Sequence, residues 1–351
     1  MLIEPVDVAA RIACLGTKAM AGKKSSEQTI DMETIMSTVP AASERPGRIW
    51  PWLASQETQG FILGTIAALI WGAYLALARS GISAGLTAMD IAFLRYGVAG
   101  IIMLPWLALN QPARLGGIGI GRSIILCLLV GPPFILFAVG GYNFAPLAHG
   151  AVIQPSAATI GGMLLAALVL GEKPSRTAFI GALIVLAGVA VLAGPGLLAG
   201  SSLTPLGDAM FAAAGFMFGV FTVLAKRWNI AAVPATAAIS VLSAVIFVPP
   251  YLALTGAERI LAADPGMVVA QVLVQGVLSG VASVLAISKA VQLLGPSRAA
   301  IFPAITPAAA IILGVPIAGE IPTALQFLGL AIVSFGLLFN VGAMSVMGGR
   351  W

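Results

Sequence analysis

The stretch from Pro155 to Gly194 reads PSAATIGGMLLAALVLGEKPSRTAFIGALIVLAGVAVLAG, and a later stretch from Pro303 to Gly342 reads PAITPAAAIILGVPIAGEIPTALQFLGLAIVSFGLLFNVG. One constant offset of 148 residues aligns the two without a gap. The positions that coincide are Pro155 with Pro303, Gly171-Glu172 with Gly319-Glu320, Pro174 with Pro322, Gly181 with Gly329, Gly188 with Gly336 and Gly194 with Gly342. Each stretch holds two apolar segments around a short polar loop, so the chain contains an internal repeat.

Composition indicates that lipid surrounds most of the chain. Of the 351 residues, 59% are hydrophobic and 9% are charged, whereas soluble domains carry about 25% charged residues. The two cysteines and the single histidine offer no disulfide, metal or His-based catalytic set, so we expect no cofactor, no metal and no enzyme. The net charge of +5 is typical of cytoplasmic loops of membrane proteins and does not indicate nucleic acid.

Ten apolar segments are long enough to cross a bilayer. The predicted spans are Gly60–Ala78, Ala88–Leu109, Ser123–Gly141, Ala148–Leu170, Thr177–Gly194, Leu206–Ala225, Ala232–Leu254, Met267–Ala290, Ala299–Ala318 and Ala324–Val341. They divide the chain into a largely disordered cytoplasmic tail (1–59), a first five-helix repeat (60–194) and a second (195–345). An alternative for the tail is that translation begins at Met36.

The basic residues predict the orientation. With a cytoplasmic amino terminus, 15 of the 18 Lys and Arg residues lie on the inner side. Arg79 and Arg259 lie outside, and Arg95 lies within a span. This asymmetry predicts ten spans with both termini in the cytoplasm, in a bacterial inner membrane.

Because each repeat has five spans, the second must enter the membrane from the opposite side. The loop charges agree: GEKPSR (171–176) is basic and falls inside, while GEIPTA (319–324) has no base and falls outside. Inverted repeats are characteristic of secondary transporters, whose substrate site lies between the halves near the midplane. We therefore expect a carrier of small molecules, with a channel or membrane-embedded sensor as the alternative.

The five-helix unit that ends in the quoted stretch resembles the EamA domain of the drug/metabolite transporter superfamily. The segments IWGAYLALAR (70–79) and AFLRY (92–96) fit the same pattern. The resemblance covers about 60–341, in two copies. It implies a ten-helix permease of the inner membrane that moves metabolites, and it leaves the substrate open.

Several residues are candidates for a central cavity. Pro155 and Pro303 occupy corresponding places in spans 4 and 9, where mid-helix prolines would open a kink. Gln271, Gln275 and Ser279 are spaced by four and share one face of span 8. The other candidates are Trp71, Tyr74, Asn143, Gln154 and Phe218, with helix-to-helix packing as the alternative for all of them.

The charged candidates are fewer. Arg95 either binds an anionic group or has a structural or gating role, for example by pairing with Asp90. Lys289 is a gating candidate, although an anchoring role near the cytoplasmic end of span 8 is favoured. Glu172, Glu320, Asp90 and Asp208 are expected to cap helices.

The glycine pairs Gly181/Gly188 and Gly329/Gly336 each lie on one face of their span, because seven residues make two helical turns. These faces suit close packing against the bundle or against a second copy of the chain. A homodimer through spans 5 and 10 is therefore one prediction.

Overall fold

The structure, a computed structural model, describes residues 55–172, 174–198 and 203–348, so the predicted tail up to residue 54 lies outside the described residues. The described residues form helices and connecting loops, without strands. The spans, numbered in chain order, are Gln56–Ser83 (1), Ala88–Leu109 (2), Ile120–Val130 with Pro132–Ala138 (3), Leu147–Leu170 (4), Arg176–Leu198 (5), Thr204–Arg227 (6), Ala232–Leu254 (7), Pro265–Leu294 (8), Ile301–Ala318 (9) and Ala324–Gly348 (10). Short helices at Pro112–Arg114, Gly140–Asn143, Glu258–Ala262 and Pro296–Ala299 complete the described elements.

The helices are those of a membrane protein. Within the described ranges, nine are long and apolar enough to cross a bilayer, and a further apolar segment covers Ala324–Asn340 of span 10. Large apolar side chains such as Ile101, Leu168 and Ile312 lie largely exposed on the outside of the bundle. Such a surface is stable only against hydrocarbon, since water would oppose its exposure.

Two pairs of equivalent helices, spans 5 and 10 and spans 2 and 7, lie side by side and run in opposite directions. In spans 5 and 10, Gly188 packs against Gly329, whereas Gly181, seven residues earlier, packs against Asn340. Spans 2 and 7 are also antiparallel, because Asp90 meets Tyr251 and Gly100 meets Ala244. The predicted inversion is therefore confirmed. The glycine faces of spans 5 and 10 are occupied within the chain, and a homodimer through these spans, which stays a prediction, would need their other faces.

Two matched close approaches hold the repeats together. A Cβ on Gly72 of span 1 would lie 2.8 Å from the backbone of Ala310 in span 9. A Cβ on Gly219 of span 6 would lie 2.9 Å from the backbone nitrogen of Gly162 in span 4. Gly72 and Gly219 are 147 residues apart and Gly162 and Ala310 are 148 apart, so the two contacts are equivalent in the repeat. The first helix of each half therefore packs on the fourth helix of the other. Small residues allow such backbone proximity in membranes.

The third helix of each repeat is irregular in its middle. Span 3 breaks at Gly131, which is extended (φ −91°, ψ −150°) and precedes Pro132 and Pro133. Span 8 is continuous but widens into a π-helical stretch over Val272–Ala282. At the end of this stretch, the N–H of Ser283 bonds to the carbonyl of Leu278, five residues back. The offset of 148 residues places Gly131 opposite Ser279, inside the π-helical stretch.

The expected mid-helix kink at Pro303 is wrong, because the inner prolines of span 9 are Pro307 and Pro316. Pro155 lies inside span 4, as expected. Pro303, however, is the third residue of helix Ile301–Ala318, and a first-turn proline breaks no helical hydrogen bond. The irregular helices that correspond between the repeats are spans 3 and 8. Span 8 has no prolines opposite Pro132 and Pro133, so the sequence did not indicate this correspondence.

Candidate functional site

Span 8 is bound to span 1 by a row of polar side chains. Gln271 donates from Nε2 to the carbonyl of Leu77 (2.8 Å), and Gln275 donates to the carbonyl of Tyr74 (3.1 Å). Further along span 8, eight residues after Gln275, the hydroxyl of Ser283 accepts a hydrogen bond from Nε1 of Trp71 (3.2 Å). The shared face predicted for Gln271, Gln275 and Ser279 therefore points to the first repeat. These contacts cross between the halves, near the middle of the long helices.

Arg95 of span 2 contacts the same face. Its Nη1 donates to the hydroxyl of Ser279 (2.9 Å) and to the carbonyl of Gln275 (3.4 Å). Its guanidinium lies over the rings of Tyr74 (5.2 Å) and Tyr96 (5.8 Å). All these partners are uncharged, and a half-buried guanidinium among them keeps much of its positive potential.

The expected pairing of Arg95 with Asp90 is not observed. Asp90 accepts a hydrogen bond from the Tyr251 hydroxyl (2.6 Å) and pairs with Arg259 (3.2 Å). It also accepts from the N–H of Thr87, whose hydroxyl accepts from the N–H of Asp90 in return. Asp90 therefore caps span 2, as predicted, and it is engaged at the helix end while Arg95 points to span 8.

Four buried polar atoms around this site have no hydrogen-bond partner within the described structure. They are the hydroxyl of Tyr74, Nε of Arg95 and the Oε1 atoms of Gln271 and Gln275. A buried polar atom without a partner costs free energy comparable to a lost hydrogen bond. One acceptor on Gln275 and one donor on Arg95 in the same cluster are suited to binding a polar ligand.

The residue after Arg95 joins the site to the other irregular helix. The hydroxyl of Tyr96 donates to the carbonyl of Val130 (2.7 Å), immediately before the break in span 3. Consecutive residues of span 2 thus contact both paired interruptions. Interrupted helices at corresponding places of two inverted halves are the best sequence pointer to a transporter site. We define the central site as Trp71, Tyr74, Arg95, Gln275, Ser279 and Ser283.

The sequence matches the model of the EamA-like transporter family twice, over residues 58–194 and 205–342. The chain belongs to the EamA-like transporter family. The two matched regions correspond to the two inverted repeats, and the family is one of transporters rather than enzymes. This agrees with the resemblance of the sequence to the drug/metabolite transporter superfamily.

The fold of this EamA-like protein is also similar to that of a protein of known crystal structure. The two share 17% identity and a TM-score of 0.56, over 82% of this chain and 98% of the other. No protein with a curated description matches the sequence. The similarity at this identity concerns the fold alone.

Ion pairs between the repeats lie at both ends of the EamA-like bundle. At the end predicted to face outward, Glu320 pairs with Arg79 and Asp90 with Arg259, and Asp208 is hydrogen-bonded to Nδ1 of His149 (2.7 Å). At the opposite end, Glu172 pairs with Lys226 (2.6 Å) and Glu57 with Arg298 (2.7 Å). The outward carboxylate side chains are 26%, 0% and 12% exposed, whereas the inward ones are 47% and 63% exposed. The contacts at the end predicted to face outward are therefore the more buried.

The pair of Arg79 with Glu320 belongs to a wider set of polar contacts that the sequence did not predict. Glu320 was expected to cap the next helix, but it accepts from the N–H of Leu147 (2.8 Å) at the start of span 4. Arg79 also donates to the carbonyl of Tyr142. The sequence contained one indication of this pair: Arg79 of the first repeat and Glu320 of the second carry opposite charges on the same predicted side of the membrane.

The remaining predicted site residues lie apart from the central site. Asn143 is exposed and donates to the carbonyl of Gly140 (2.8 Å) at the end of span 3. Phe218 is 42% exposed and lies against Phe134. Lys289 is exposed near the end of span 8. Gln154 is half-buried in span 4 with its Oε1 unpartnered among the described residues, so its role in a cavity stays a prediction.

Proposed function

We propose that this EamA-like protein is a secondary transporter that moves a small molecule across the bacterial inner membrane by alternating access. The observation that carries the proposal is the position of the central site. Its side chains come from spans 1 and 2 of one repeat and span 8 of the other, so a relative movement of the repeats changes which side of the membrane they face.

The ion pairs support a closed outward end in this conformation. Two ion pairs and the hydrogen bond between Asp208 and His149 join the repeats there, and breaking such a contact leaves a partly or fully buried carboxylate uncompensated. The two pairs at the inward end are exposed, and exposed pairs contribute about 0–1 kcal/mol each. Opening the inward end therefore costs less than opening the outward end, with both termini on the cytoplasmic side.

Counterflow in proteoliposomes tests the proposal. Vesicles preloaded with an unlabelled small molecule should take up the same labelled molecule faster than empty vesicles, and uptake should saturate. Such behaviour requires a site that is exposed to one side at a time. A channel, the second candidate, would give flux that rises linearly with concentration and gains nothing from preloading.

A further inference from the structure

Arg95 is a charge within a predicted span, and it has no counter-ion among the residues that the structure describes. It lies seven residues into the 22-residue span 2, about 10 Å along the helix axis. Of the seven acidic residues in the described ranges, five pair with other bases: Glu57, Asp90, Glu172, Asp208 and Glu320. The other two, Glu258 and Asp264, lie in the connection between spans 7 and 8. A charge at such depth is expensive and is usually paired or functional.

The neutral partners of Arg95 satisfy only part of the guanidinium. Nη1 is bonded to Ser279 and to the carbonyl of Gln275, whereas the buried Nε has no partner within the described structure. The Tyr74 ring beneath it and the unpartnered Tyr74 hydroxyl stabilise a cation without neutralising it. The site therefore keeps a positive potential and an N–H donor for an anionic group.

The place in the fold that is equivalent to Arg95 shows what helix packing alone requires at such a position. The offset of 148 residues places Ser243 of span 7 opposite Arg95, and Cys127 of span 3 opposite Gln275. Ser243 and Cys127 contact each other, with 3.2 Å between Oγ and Sγ. At the equivalent place in the other half of the bundle, span 7 thus contacts span 3 through two small uncharged side chains. Packing alone does not require a guanidinium at this crossing, so the charge of Arg95 needs another explanation.

We propose that Arg95 binds the carboxylate of a small organic anion, which is the substrate of the carrier. A planar guanidinium matches a carboxylate, and a bond to an ionised acceptor in a water-poor site is stronger than one to a neutral group. The unpartnered Oε1 of Gln275 accepts from a donor on the rest of the molecule, and the Tyr74 hydroxyl lies in the same cluster. This inference rests on the proposed transport function and names its substrate class.

Matched acids and amides test the charge requirement. We would measure the thermal unfolding midpoint of the full-length protein in nanodiscs with benzoate, lactate and succinate, each compared with its amide. At about ten times the Kd, a carboxylate should raise the midpoint by roughly 3 °C, and the amides should not. Arg95→Gln should abolish the shift, and Arg95→Lys should weaken the affinity about tenfold, since lysine lacks the fork. Arg122→Gln, which removes an exposed charge near Trp228 at the other end of the bundle, should leave the shift intact.

Each outcome separates the anion site from the transport function. Equal shifts with acids and amides, no shift with any acid, or an unchanged shift in Arg95→Gln would overturn the anion site. If Arg95→Gln does not yield folded protein, the comparison of acid with amide on the wild type decides alone. Carboxylate binding without saturable counterflow would instead overturn the transport function and leave the anion site standing.

Discussion

Arg95 donates from Nη1 to the hydroxyl of Ser279 over 2.9 Å. This bond joins span 2 of the first repeat to the π-helical stretch of span 8 in the second. It places a cation where two inverted halves meet, beside a stretch of helix whose wider turns alter the backbone hydrogen bonding. The proposals on transport and on anion binding both depend on this junction.

Gln275 and Gln271 make equivalent hydrogen bonds to span 1 but differ in their distance along span 8 from Arg95. We expect Gln275→Ala and Gln271→Ala each to lower the free energy of unfolding by about 1 kcal/mol, the range of interhelical bonds in membranes. Only Gln275→Ala should raise the KM of transport, several-fold, because it alters the site next to Arg95. Transport kinetics in proteoliposomes and thermal unfolding check this; an equal KM in both variants would show that Gln275 is structural only.

Gly72 is a steric test of the contact between spans 1 and 9. A Cβ there would meet the backbone of Ala310 at 2.8 Å, whereas a Cβ on Gly97 would meet only Val248 Cγ2 at 3.8 Å. Gly72→Ala should therefore destabilise the protein by about 1–3 kcal/mol, and Gly97→Ala should be close to neutral. Thermal unfolding in detergent measures both. If the two variants unfold alike, spans 1 and 9 do not pack as described.

Glu320 is expected to hold the outward end closed. Glu320→Gln removes the charge that pairs with Arg79, so the outward end should open more often, by about tenfold for each 1.4 kcal/mol lost. Hydrogen exchange should become faster in peptides covering 140–150 and 316–326. Glu172→Gln, at the exposed inward pair, is the matched control and should leave these peptides unchanged. Exchange that is unaffected by Glu320→Gln would remove this pair from the gate.

Thr177 and Leu325 test the orientation of the two halves. They are related by the offset of 148 residues and both are exposed at the start of a span. Because the repeats are inverted, Thr177→Cys should lie inside and Leu325→Cys outside. On intact cells a membrane-impermeant maleimide should label only Leu325→Cys. Labelling of both or only of Thr177→Cys would contradict the predicted orientation.

The positions of the spans and their inversion could be predicted because each depends on local composition. Runs of apolar residues mark helices, and the bases of GEKPSR against their absence in GEIPTA mark the two sides. The polar face of Gln271, Gln275 and Ser279 was also predictable, since spacing by four keeps residues on one side of a helix.

Partners across the bundle were harder to predict. The pairing of Arg79 with Glu320 and the turn of Arg95 away from Asp90 depend on which helices meet, which periodicity does not specify. Pro303 was predicted to lie mid-helix, but the break after Ala299 makes span 9 begin at Ile301 and leaves this proline in the first turn. The π-helical stretch of span 8 contains no proline, and its Gly276 and Gly280 do not distinguish it from the other glycine-containing spans.

The most direct test of alternating access around Arg95 is the accessibility of Ser279→Cys from each side of the membrane, with Cys14 and Cys127 replaced by serine. A thiol beside a guanidinium ionises readily and reacts with maleimide. We expect labelling from the cytoplasmic side, a shift towards labelling from the outer side when Glu320→Gln is added, and protection by a bound carboxylate. Equal labelling from both sides at once would contradict the proposal and indicate a continuous pore.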